Sequence, residues 1–175
     1  IRDSIREVDA IIHLVRCFES DKITHVNSKI NPVEDLETIK TEIILSDIDI
    51  IQKKLEKGKK KLLEEKQIKI LEEKLNQLNE GKEISVDDID EKKFLSSLGL
   101  LSIKPKIIVC NVDEGSLANG NTFTEEVQKK YSYEKVVTIC ADIEDQIMGL
   151  DNNEREIFMK EIGLNKTGLN QLIKE

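Results

Sequence analysis

Asn111-Val112-Asp113-Glu114 stands directly after the apolar run KIIVC at 106–110, which places an amide and a carboxylate just past a buried strand. An Asn side chain both donates and accepts, and a Glu side chain accepts at two oxygens, so the pair can read the polar edge of a planar ligand. The same four residues also suit an ordinary polar strand-to-loop turn. Cys140-Ala141 ends the next apolar run, 135–140, in the equivalent position. Small residues there fit a flat group packed against them, and they equally fit a strand that ends in small buried side chains. His25 sits in a polar stretch, where an imidazole titrating near neutral pH can orient or deprotonate water. A solvated loop histidine is the plainer reading. His13 lies inside an apolar run and reads as a hydrogen-bonded core residue.

Two other groups of residues carry less. Lys53, Lys54, Lys57, Lys59, Lys60, Lys61 and Lys66 are interleaved with Glu56, Glu64 and Glu65. Such a run is usually a solvated helix face. Its functional alternative is a salt-dependent contact with RNA phosphates, and without interleaved aromatics it cannot stack bases. Cys17, Cys110 and Cys140 form no CxxC pair and no metal-ligand ladder, so no metal site is read. All three lie in or beside β-branched apolar runs, as small buried hydrophobes in a reducing cytosol would. The expected location is cytoplasmic.

The elements that must position these residues follow from periodicity. Three short, near-continuous apolar runs at 8–15, 106–110 and 135–140 predict strands of a parallel sheet covered on both faces. Ligands of such sheets gather beyond the carboxyl ends of the strands. Between the first two runs, Leu36, Ile39, Ile43, Ile44, Ile48, Ile51 and Leu55 recur at steps of three and four. After a turn near Gly58 the pattern resumes with Ile68, Leu71, Leu75 and Leu78, which predicts an antiparallel helical hairpin with a coiled-coil seam. Pro32, Glu34 and Asp35 suit the start of its first helix. A further amphipathic piece spans 86–100. Helices are expected at 122–131, capped by Asn121 or Thr122, at 151–162 ending at Gly163, and at 166–175.

Composition agrees with a long solvated helical part. Of the 175 residues, 38% are hydrophobic and 35% charged, only 3% are aromatic, and Trp is absent, so Ile, Leu and Val must make the core. A net charge of −8 argues against a general nucleic-acid binder, although a local basic patch can override the mean field. No apolar run approaches the roughly 20 residues needed to span a bilayer, and the N-terminus carries no signal-peptide pattern.

The order of these segments resembles the YchF, or Obg-like, ATPases. Residues 5–13 (IREVDAIIH), running on through Val15-Arg16-Cys17-Phe18-Glu19, are similar to the family's strand after switch II. Ile23-Thr24-His25-Val26, Asn31-Pro32 and 35–39 (DLETI) resemble the entry into its coiled-coil insertion. Residues 101–105 (LSIKP) resemble the return into the next strand, Asn111-Val112-Asp113-Glu114 its NxxE motif, and Cys140-Ala141 with 151–163 the remainder.

The resemblance implies an α/β fold: a partial P-loop NTPase sheet, G-domain-like, at 1–33 and 101–175, with a helical coiled-coil insertion at 34–100. It implies ATP rather than GTP as nucleotide, with Mg²⁺ on the phosphates. Asn111, Val112 and Glu114 would contact the base, Cys140 and Ala141 would pack against it, and His25 would serve in hydrolysis. GTPases of this class carry NKxD where this chain has Val112 for Lys and Glu114 for Asp. The family's P-loop, switch I and DxxG element would precede Ile1 and its TGS domain would follow Glu175. No GxxxxGK[ST] occurs in the sequence, since Gly58-Lys59 and Gly81-Lys82 are isolated. Ribosome or ribosomal RNA is the implied partner, through Lys59, Lys60 and Lys61, with no membrane. The alternative is a non-enzymatic interaction module built on the helical hairpin. Free sheet edges could also lead to self-association.

Overall fold

A computed structural model describes residues 10–19, 30–58, 63–164, 166–168 and 170. The chain divides into two compact units, one built from 1–11 and 37–105, the other from 12–36 and 106–175. The sequence-based insertion at 34–100 is thus to be compared with a unit running over 37–105.

The helical unit contains most of α1 (Pro32–Gly58), together with α2 (Glu65–Asn79) and α3 (Ile89–Ser97). Asn31 starts α1: its Oδ1 accepts from the Glu34 amide (3.1 Å) and its Nδ2 donates to the Glu34 carboxyl group. Pro32 follows at the first helical position, where a missing N–H costs nothing. The predicted seam forms the core. Ile44, Ile51, Leu55, Leu71 and Leu78 are buried together with Ile84, Leu95 and Leu100, and Ile48, Ile68 and Leu75 pack against them. Leu36, expected in this seam, packs in the other unit instead.

Two ionisable side chains are buried beside this seam. Asp47, 0% exposed, accepts from the Leu101 amide (2.9 Å), the Ser102 amide (2.8 Å) and the Ser102 hydroxyl. Lys74, 5% exposed, pairs with Glu91 (2.7 Å) and Glu73 (3.1 Å) and donates to the Ser85 carbonyl (3.1 Å). Burial works against the Lys74 charge, but Glu91 and Glu73 outweigh it and hold its pKa above the ordinary value. The Ile11 amide donates to the Pro105 carbonyl (2.9 Å), joining two points far apart in sequence.

The other unit is a three-stranded sheet with order β1-β2-β3, where β1 is Ile11–Arg16, β2 Lys106–Asn111 and β3 Lys135–Ile139. β2 and β3 run parallel, with Ile107 opposite Lys135 and Asn111 opposite Ile139. Helix α4 (Thr122–Lys130) makes the crossover between them, and α5 (Ala141–Met148) and α6 (Asn152–Glu161) follow. One core cluster joins Val15, Cys17, Leu36, Ile108, Cys110, Val112 and Val127. A second joins Cys140, Ile143 and Ile147, with Phe158, Met159 and Ile162 against it. On β1, His13 and Val15 are buried, whereas Ile12 (54%) and Leu14 (60%) on the opposite face are exposed, so this strand is covered on one face and not on both as its apolar run suggested.

Several predicted boundaries shift. β1 begins at Ile11, with residues 8 and 9 outside the described set. The amphipathic piece 86–100 condenses to α3. Residues 141–144, for which no helix was expected, open α5, whose Ile143 and Ile147 supply one buried stripe. Asn121 caps α4 and Asp151 caps α6, each in a reciprocal capping box. Most of the helix expected at 166–175 lies outside the described residues.

Candidate functional site

The candidate site is built where the strands of the sheet unit end. Asn111 is the last residue of β2, and its backbone and side chain bind different neighbours. Its carbonyl accepts from the Cys17 amide (2.8 Å), just past β1. Its Oδ1 accepts from the Ala141 amide (2.9 Å), the first residue of α5. One residue therefore ties the exits of β1 and β2 to the segment following β3. The first turn of α5 has orphan amides, as every helix start does, and Asn111 satisfies one of them from a distant strand.

Val112 is 2% exposed, its side chain in the core beside Val15 and Cys110. Its amide donates to the Ile139 carbonyl (2.8 Å), so only its carbonyl is left for a ligand in this part of the backbone. Glu114 is exposed and opens a short 3₁₀ turn, Glu114–Ser116, directly after Asp113. Glu114 also lines a concavity of about 430 Å³ with Gly115, Leu117, Ala118, Ile143 and Ile162. Among the described residues, none of the other predicted site residues lines that concavity. Cys140 is 2% exposed and packs with Ile143 and Ile147, so its thiol faces the core, whereas Ala141 is exposed.

The structure thus brings Asn111, Val112, Cys140 and Ala141 together through the hydrogen bonds of two adjacent strand ends, with Glu114 on the turn that follows. His25 lies outside the described residues, as do Lys59, Lys60 and Lys61. All three cysteines are free and buried. Contact with the Cys110 thiol, then burial and the nearby Asp35, push the Cys17 thiol far above its ordinary pKa. Among the described residues no cluster of His, Cys, Asp or Glu is arranged to hold a metal ion, and no helix is long and apolar enough to cross a membrane.

Sequence reading offered Asn121 only as a candidate cap for α4. It stands before α4 at the end of a turn made by Gly120 (φ +72°), and its Oδ1 accepts from the Thr124 amide (3.1 Å) as a cap does. Its Nδ2 donates to the Cys17 carbonyl (2.7 Å), more than a hundred positions back in the chain. Nothing in the sequence signals that second bond, although the cap itself was legible.

The parallel sheet, the crossover helix and the inserted helical hairpin define a P-loop NTPase-type α/β fold. The solved structure described as the YchF GTPase of Schizosaccharomyces pombe shares it with a TM-score of 0.85 at 24% identity, covering 98% of this chain and 50% of that one. The chain matches the YchF, or Obg-like, ATPase family along nearly its whole length. It is 37% identical over 181 aligned positions to the ribosome-binding ATPase YchF of Bacillus subtilis, 97% of this chain and 50% of that protein. The corresponding protein of Mycoplasma pneumoniae is 39% identical, covering 98% of this chain and 51% of the relative. That of Escherichia coli O157:H7 is 37% identical, covering 98% and 49%. The chain therefore spans about half the length of the curated relatives it matches. No family model matches it.

Proposed function

We propose that this chain supplies the base-reading part of a YchF-type unit that binds and hydrolyses ATP. The observation that carries the reading is the bridge from Asn111 to Ala141, which holds the two candidate base loops in fixed relation. Adenine presents an amine where guanine presents a carbonyl oxygen. The committed Val112 amide leaves a carbonyl acceptor, which favours the amine and opposes the oxygen. Glu114, longer than the Asp of NKxD, accepts from a base or ribose donor at the rim. Ala141, small and exposed, gives a flat base room to pack, and Cys140 contributes through its backbone.

His25 is assigned to the hydrolytic step, orienting the attacking water or stabilising charge on the transferring phosphoryl group. Mg²⁺ supplies charge neutralisation on the phosphates when ATP is bound. Phosphoryl transfer needs positioned cations and phosphate-cradling amides, and the 175 residues contain no GxxxxGK[ST]. By itself the chain is therefore expected to bind ATP weakly, to prefer it to GTP, and not to turn it over. Calorimetric titration with each nucleotide in Mg²⁺ tests this. A preference for GTP would sink the base assignment, and Mg²⁺-dependent turnover would sink the account of the phosphates.

Ribosome association is assigned to Lys59, Lys60 and Lys61, because the relatives are described as ribosome-binding and the run is basic. Charge reversal at the three should weaken co-sedimentation with ribosomes and flatten its salt dependence. Unchanged co-sedimentation would remove these lysines from the interface.

A further inference from the structure

We propose that Asn121 is a positioning residue for the base loops, acting through the Cys17 peptide and Asn111. The proposal rests on the base-site reading above, and it begins from a surplus. An N-cap needs only an acceptor, and Ser, Thr or Asp would provide it as well as Asn. Asn alone among the good caps adds an amide donor. Here that donor is used, at 2.7 Å, on the carbonyl of Cys17.

Cys17 is held from both sides. Its carbonyl is gripped by Asn121, and its amide is spent on the Asn111 carbonyl at 2.8 Å. Asn111 then passes the constraint on through Oδ1 to the Ala141 amide at 2.9 Å. Three consecutive hydrogen bonds thus run from the cap of α4, across the ends of β1 and β2, to the start of α5.

The anchor of this relay is itself fixed. The Thr124 hydroxyl bonds the Asn121 backbone (2.8 Å), Thr124 is 1% exposed, and the Gly120 turn leaves no room for a Cβ, which would fall 2.6 Å from that hydroxyl. Cys17 is 0% exposed, so water does not compete for its backbone groups. The chain leaving Cys17 leads to the stretch that carries His25. Asn121 thereby sets the β1 exit against the β2 exit, which is the geometry a base wedged between loops depends on.

Asn121→Asp and Asn121→Ser separate the two roles, since both keep the cap and lose the donor. In the Asp variant a carboxylate oxygen also faces the Cys17 carbonyl. Both variants should melt close to the wild type, while amide exchange at Cys17 and Ala141 rises at least about tenfold. The ATP-to-GTP affinity ratio should fall toward unity, a change that a general loss of stability would not produce. Unchanged exchange at Ala141, or a ratio that holds while both affinities drop together, would overturn the proposal. If the wild-type chain binds neither nucleotide, the base-site reading fails on that result, and exchange at Ala141 alone decides the role of Asn121.

Discussion

In the helical unit, the polar groups taken out of water at its centre belong to ionisable side chains, Asp47 and Lys74, each saturated by several partners. In the sheet unit, the polar groups at the strand ends belong to two neutral amides, Asn111 and Asn121, each of which binds the backbone of a distant segment. The contrast follows from what each region has to fix. A hairpin of helices already satisfies its own backbone, so a buried carboxyl group serves to pin the Leu101-Ser102 turn to the middle of α1. Loops at strand ends have unsatisfied backbone groups, and an amide that both donates and accepts can tie two of them at once. Buried ionisable groups therefore stabilise an arrangement of helices in one region, and half-buried amides tie loops together in the other.

The sharpest way to break this contrast is Asp47→Ala. It leaves the Leu101 and Ser102 amides buried without an acceptor, at a cost of about 3 kcal/mol. Amide exchange should accelerate through α1, α2 and α3, while the amides of β2 and β3 hold. Equal acceleration in both units would show that their stabilities are not separate. It would also erase the contrast with Asn121→Asp, for which the opposite pattern is expected.

A smaller effect concerns Lys74. Its folded-state pKa is raised, so its ion pairs contribute stability in full below the ordinary lysine value of 10.5, and that contribution is lost as pH rises through the folded value. The denaturation midpoint of the helical unit should drop in that alkaline window, and it should drop less in Lys74→Met. Parallel alkaline profiles for the two proteins would remove Lys74 from the account.

Much of this architecture was legible from period alone. The seam from Ile44 to Leu78 and the strands at 106–111 and 135–139 announce themselves because their burial repeats. Helix α5 was missed because eight residues give only two buried isoleucines, too few to outweigh the acidic residues between them. Asp47 was invisible for a different reason. On a charge-rich helix that also carries Asp35 and Asp49, Asp47 looks solvated, and its partners lie more than fifty positions away. At the candidate site, the residue types at 111–114 and 140–141 marked two strand ends that the structure places side by side. That Val112 spends its amide on Ile139, and Asn111 its side chain on Ala141, depends on β-sheet register, which the sequence does not state.

The hydrogen bond from Ile11 to Pro105 bears on how the chain finds its fold. β1 and β2 are neighbours in the sheet, yet α1, α2 and α3 all lie between them in sequence. Closing a flexible loop costs entropy that grows by about 0.6 kcal/mol with each doubling of its length. Helical contacts are local and form fast, whereas the β1-β2 pairing is among the most distant in the chain. The Ile11–Pro105 bond sits where β1 and β2 begin, so their pairing closes a loop that contains all three helices. Helices that form early shorten the flexible part of that loop, so a defect in their seam would slow refolding of strands it does not contain.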